Sequence, residues 1–182
     1  MTARPPTKLP WSVPVRPEDV PETGLHFDLV ADEPTRNAIA AMAGLRALPR
    51  FTASFDVTRR GNGLALTGEI AATVGQTCVV TLESLSNEVR EAVDAVFLPP
   101  ESIARPPDVE TADAIDPEAV DEPEALVDGM ADLGATATEF LLLAIDPYPR
   151  KPGAVFEPPA ADDPGAHPFA ALAALKKDRD TP

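Results

Sequence analysis

The chain has 182 residues, 44% of them apolar, with 15 basic and 30 acidic side chains for a formal net charge of minus 15 at pH 7. That is enough apolar material for one modest core with tails, so a fully disordered chain is excluded. The acidic balance opposes a nucleic-acid or anionic-membrane surface at long range, and no stretch approaches the roughly 20 apolar residues that span a bilayer.

Met1 to Pro10 carries Pro5, Pro6 and Pro10 where a signal peptide needs an apolar run, so the chain reads as cytoplasmic. One cysteine cannot close an internal disulfide, and one cysteine with two distant histidines is too few for a zinc site. The expectation is a reduced protein with no metal, no cofactor, no membrane contact and no small-molecule substrate.

The 22 prolines cluster at residues 5 to 21, 99 to 123 and 147 to 168 and are missing between Pro49 and Pro99, where the sheet should lie. Residues 1 to 8 form a tail. Trp11, Val13 and Val15 alternate as in a short strand, and Leu25 to Val30 reads as an edge strand. Asp32 can cap a helix from Glu33 to Leu45, with Pro34 in its first turn and Ile39, Met42 and Ala43 at helical spacing.

Phe51, Ala53, Phe55 and Val57 then alternate with Thr52, Ser54, Asp56 and Thr58. After Gly61-Asn62-Gly63 the pattern resumes in Leu64, Leu66, Ile70, Ala72 and Val74, which predicts a hairpin. A third strand from Asn87 to Leu98 points Val89, Val93, Ala95 and Phe97 inward. Residues 99 to 132 hold 11 acids against Arg105 alone, a net of minus 10. Within that stretch, residues 99 to 123 combine proline with like charges and read as a disordered acidic loop.

Asp132 can cap a second helix with an apolar stripe of Leu133, Ala137, Phe140, Leu141 and Ala144, ended by Asp146-Pro147. A proline-rich spacer over 147 to 168, a last helix from Phe169 to Lys177 and a tail over 178 to 182 complete the chain. The fold class is α+β: one domain over 9 to 177, in which an antiparallel β-meander, either a curved sheet or a partial barrel, is packed by two or three helices.

Chemistry-bearing residues are sparse. Cys78 reads as either a nucleophile or a buried structural thiol. Strand parity with Val74 and the lack of a basic sequence neighbour favour the second. Thiol catalysis would need Cys78 exposed beside His26 or His167. Most carboxylates fall in the acidic loop, where nothing holds the geometry of acid and base catalysis, and no catalytic residue is assigned. Arg46 and Arg50 lie at one end of the first hairpin strand and Arg59 and Arg60 at the other; if these ends come together they form a positive patch suited to phosphate. Arg150 and Lys151 follow Tyr148 as a second small basic site with a ring that can stack on a base or a partner side chain.

Three separated pieces then carry a resemblance. Gly68 to Ser84 ends in Cys78-Val79-Val80-Thr81-Leu82-Glu83; Asp132-Leu133-Gly134 leads to Glu139-Phe140-Leu141-Leu142-Leu143 and Pro147 to Pro149; and Pro168-Phe169-Ala170-Ala171-Leu172 precedes Leu175-Lys176. In this order and spacing they resemble the YceD family of large ribosomal RNA subunit accumulation proteins, over about residues 9 to 177. The resemblance implies structural roles for Cys78, Leu82 and Glu83 and support for the synthesis, processing or accumulation of 23S ribosomal RNA. Many members carry a second cysteine three residues after the first; here that position is Thr81, so a Cys-x-x-Cys chemistry is closed to this chain. The expected partner is a basic large-subunit ribosomal protein or a precursor particle, with the arginines touching ribosomal RNA. The alternatives are an interaction adaptor unrelated to ribosomes and a Cys-dependent enzyme.

Overall fold

The computed structural model describes residues 9–103 and 123–156. Along the chain run β1 (Pro14–Val15), a 3-10 turn (Pro17–Asp19), β2 (Leu25–Val30), α1 (Glu33–Met42), β3 (Ala47–Arg60), β4 (Gly63–Thr77), β5 (Ser84–Leu98), α2 (Pro100–Ile103), β6 (Glu124–Ala125), β7 (Ala131–Asp132) and α3 (Leu133–Ala144). The main sheet has the order β2-β3-β4-β5-β6, and β1 pairs with β7 in a separate ribbon. Strands β2 to β5 form the expected antiparallel meander, and the fold is α+β.

Alternation decides which face is buried. Phe51, Ala53, Phe55 and Val57 of β3 meet Leu64, Leu66, Ile70, Ala72 and Val74 of β4 in one core, joined by Val93, Ala95 and Phe97 of β5. Each large side chain there contributes about 1.5 to 3 kcal/mol through burial. Trp11 closes the core edge-on to Phe51, with ring centroids 4.9 Å apart. Two glycines let the strands approach: a Cβ on Gly68 would collide with the Ser54 carbonyl, and one on Gly63 with that of Phe97. Pro49 sits where the β3–β4 register slips by one residue, between Ala47 opposite Gly75 and Arg50 opposite Thr73. A bulge is where a strand tolerates a residue without an N–H.

Helix α1 begins as expected, the Asp32 carboxylate accepting from the Thr35 N–H at 2.9 Å. It ends at Met42 rather than Leu45. Gly44 takes a positive φ of 66°, and the Leu45 N–H turns back to the Ala40 carbonyl at 2.9 Å, a Schellman stop. Its buried residues are Ile39 and Ala40, while Met42 is exposed. Helix α3 packs on β4 and β5 through Leu133, Ala137 and Leu141, with Phe140 partly buried beside them. Gly134 leaves room for Trp11, which a Cβ would approach to 3.0 Å.

Other expectations need correction. The strand expected around Trp11 to Val15 shrinks to Pro14–Val15 and joins β7, not the main sheet; Pro10 and Pro14 lack the N–H groups that a ladder uses. Strand β5 starts at Ser84, three residues before the expected Asn87. Part of the expected acidic loop is ordered, since Pro100–Ile103 forms a helical turn, and β6 adds a parallel edge to β5 that was not foreseen. The rest of that loop, residues 104–122, and the expected last helix from Phe169 lie outside the described residues.

Asp132 ties these parts together. Its Oδ1 accepts from the N–H groups of Val13 at 2.7 Å and of Gly134 and Ala135 at 3.1 Å, and its Oδ2 from the Ser12 hydroxyl at 2.6 Å. Asp132→Ala removes a helix cap and strands the Val13 donor, so it should lower unfolding free energy by about 2 to 3 kcal/mol. Denaturant midpoints at unchanged m-value would show this; a loss below about 0.5 kcal/mol would mean that water replaces the carboxylate. Gly68→Ala should cost about 2 kcal/mol or more by forcing β3 and β4 apart, measured in the same way.

Candidate functional site

Beyond Thr77 the chain leaves β4 and makes a tight turn before β5. The Cys78 N–H donates to the Glu83 carbonyl at 2.8 Å, and the Leu82 N–H to the Cys78 carbonyl at 2.9 Å. Closing that turn puts Leu82, a branched residue, at a φ of 60°. A non-glycine residue in the left-handed region is held there by its surroundings. The turn presents Leu82, 75% exposed, and Val79, 45% exposed, to solvent.

The segment after α3 docks on this turn. The Val79 N–H donates to the Pro149 carbonyl at 2.9 Å, the Lys151 N–H to Cys78 Sγ at 3.3 Å, and Lys151 Nζ to Glu83 Oε2 at 2.9 Å. Gln76 Nε2 adds a bond to the Asp146 carbonyl at 2.8 Å, and its Oε1 accepts from Asn87 at 3.0 Å. The fold thus unites the Cys78, Leu82 and Glu83 turn with the segment of Tyr148, Arg150 and Lys151, Cys78 and Lys151 being 73 residues apart in sequence. Tyr148 is 71% exposed, its N–H held by Asp146 Oδ1 at 2.8 Å. The result is a hydrogen-bonded, solvent-facing surface in which Val79, Leu82 and Tyr148 are accompanied by basic side chains.

Cys78 is buried, as strand parity implied, but its surroundings are polar. Hydrogen bonding from Thr81, then from the Lys151 N–H, draws its thiol down to about 6, against the burial that raises it. Lys151 is raised, chiefly by its bond to Glu83, and Glu83 is lowered, chiefly by Lys151. Thr81 is a sequence neighbour of Cys78, but the distant donor, Lys151, acts through a backbone N–H that no sequence pattern signals. Gln76, Thr81, Asn87 and Pro149 were also missed; only the polar Gln76 at a core-parity position gave a hint.

The single arginine patch does not form. Arg50 and Arg60 stand ten residues apart on one strand, roughly 33 Å at about 3.3 Å per residue. Arg50 is paired with Glu88 at 3.0 Å, and Glu88 also accepts from Thr73 at 2.6 Å. Arg46, whose N–H donates to the Gly75 carbonyl at 2.8 Å, lies at the same end of the sheet as the Cys78 turn, whereas Arg59 and Arg60 flank the far hairpin. His26 cannot serve Cys78. Its register partners Asp56 and Thr67 place it eleven β4 residues from the turn, roughly 35 Å away, and its ring bonds Asp56 at 2.8 Å. His167 lies outside the described residues, among which no cluster of metal-ligating side chains occurs and no helix is long and apolar enough to cross a membrane.

Comparison with known proteins gives one match. The sequence model of the family described as large ribosomal RNA subunit accumulation protein YceD matches residues 66–176, more than half of the chain. The matched span runs from β4 through the Cys78 turn, α3 and the docked segment, and leaves residues 9–65 outside. No curated protein and no solved structure matches.

The low thiol value has a consequence for stability. A thiol at about 6 in the folded chain against about 8.5 unfolded contributes stability that is complete above pH 8.5 and lost as pH falls through 6. The difference in unfolding midpoint between the native protein and Cys78→Ala should therefore widen from pH 6 to 8.5, while alkylation of the folded thiol stays slow. A constant difference across that range would show that Cys78 remains a neutral thiol.

Proposed function

The chain belongs to the YceD family, and from that membership we propose that it is a non-catalytic cytoplasmic factor supporting accumulation of large-subunit ribosomal RNA, acting by contact with a precursor particle. The observation that carries this reading is the family match itself, whose span includes both halves of the Cys78 surface. A contact role, rather than a thiol reaction, is supported by a sulfur that is closed to solvent and occupied as a hydrogen-bond acceptor.

The surface suits such a contact. Leu82, Val79 and Tyr148 offer apolar area and a ring for stacking, with Arg150 and Arg46 as cations near the same end of the molecule. Arginine binds phosphate and carboxylate with two parallel donors, so it serves ribosomal RNA or an acidic protein surface equally. The ordered turn limits the conformational entropy lost on binding.

Deleting the gene should lower large-subunit relative to small-subunit ribosomal RNA, with the protein sedimenting among precursor particles rather than translating ribosomes. Arg46→Glu with Arg150→Glu should weaken that co-sedimentation roughly tenfold, and added salt should weaken the native association further. Unchanged ribosomal RNA ratios in the deletion strain, with no particle association, would reject the proposal and leave a ribosome-independent adaptor.

A further inference from the structure

At the opposite end of α3 lies a cleft of about 520 Å³. Pro14, Phe97, Met130 and Ala135 give it apolar walls, while Glu124 and Glu139 stand at it as carboxylates. Strand β6 contributes Glu124 beside the end of β5, and the second turn of α3 contributes Glu139. Asp132 also lines the cleft, with its oxygens already bound to Ser12, Val13, Gly134 and Ala135.

We propose that this cleft is a docking site for an extended, cationic protein segment, one that places an arginine or lysine head between Glu124 and Glu139 and its aliphatic stem on Phe97, Pro14 and Ala135. Charge complementarity selects the occupant. Among the described residues no basic side chain pairs with either glutamate; both residues are exposed at the mouth of the cleft, and partial desolvation first, then the charge of Glu139 on Glu124 and of Asp132 on Glu139, pushes both carboxyls up. A bound cation relieves both effects at once. The apolar walls argue against a bare metal ion, which takes an all-oxygen shell, and favour a long side chain whose methylene stem has surface to cover. Nucleic acid is repelled, because the cleft closes a stretch, residues 99 to 132, with 11 acids and one arginine. That same field accelerates the approach of a basic partner. That the segment belongs to a basic protein of the large-subunit precursor rests on the function proposed above; the cleft's preference for a cationic segment does not.

Fluorescence anisotropy with the full chain and a labelled peptide of repeated Arg-Leu-Lys triplets tests the site directly. The native protein should bind it. Glu124→Gln with Glu139→Gln should weaken binding at least roughly tenfold, and Ala135→Phe, which fills the cleft without changing charge, should do the same. Circular dichroism and denaturant midpoints confirm that these variants fold. Converting the acids of residues 104–122 to amides should slow association while leaving the dissociation rate within a few-fold. Native-like binding by both cleft variants would overturn the proposal. So would abolition of binding by the 104–122 changes alone, stronger binding of a single-stranded RNA at the cleft, or peptide binding that appears only after removal of residues 169–182, which would make the chain's own Lys176, Lys177 and Arg179 the occupant. Peptide binding with unchanged ribosomal RNA in a deletion strain would uphold the cleft and reject only the ribosomal reading.

Discussion

One carboxylate holds the architecture in register. Asp132 serves four donors from two segments more than a hundred residues apart, so the N-terminal strand, the short β1–β7 ribbon and the start of α3 are fixed relative to each other. An anion at a helix N-terminus is favoured by both the unpaired N–H groups and the macrodipole. From that anchor α3 crosses the sheet and delivers Asp146 to Gln76 and Lys151 to Cys78 at its other end. The Cys78 surface therefore depends on a capping interaction one whole helix away.

The sheet divides its two faces by solvation. One face is the core; the other carries threonines and charges that largely compensate each other, with His26 bonded to Asp56 and Asp28, and Arg50 and Thr73 bonded to Glu88. An antiparallel sheet with one wet face is ordinary, and exposed pairs of this kind contribute little to stability. What distinguishes this protein lies at the ends of the strands and of α3. One end gathers Arg46, Arg150 and Lys151 with Glu83 and the apolar turn residues; the other gathers Glu124, Glu139 and the exit of an acidic stretch, with Arg59 and Arg60 on the neighbouring hairpin. A net charge summed over the chain hides this local arrangement.

Much of the sheet was legible because strict alternation over long runs leaves only one way to bury Phe51, Phe55, Leu66 and Ile70 together. The cap residues Asp32 and Asp132 were legible for the same kind of reason, since each precedes an apolar stripe at helical spacing. The two-residue strands β1, β6 and β7 were not, as a span that short has no period and pairs only because its flanks are held elsewhere. The end of α1 is legible in Gly44, which takes the left-handed φ that stops the helix. Separation of Arg50 from Arg60 was also readable, because ten strand residues impose a fixed rise; bringing them together would have required a sharp fold in β3. The distant partner of Cys78 was beyond reach: a backbone N–H has no sequence signature, and the docking of Lys151 exists only once α3 has crossed the sheet.

The Thr81 position bears on what the turn is for. Where a Cys-x-x-Cys pair would put its second thiol, this chain places a residue whose N–H donates to Cys78 Sγ at 3.4 Å and whose hydroxyl donates to Glu83 Oε2 at 3.1 Å. Hydrogen bonds and the Lys151–Glu83 ion pair therefore hold the turn, with Leu82 in its left-handed conformation. A dithiol is not needed to build the surface. The turn keeps its shape without a Cys-x-x-Cys pair, and the side chains it and the docked segment turn to solvent are Leu82 and Tyr148.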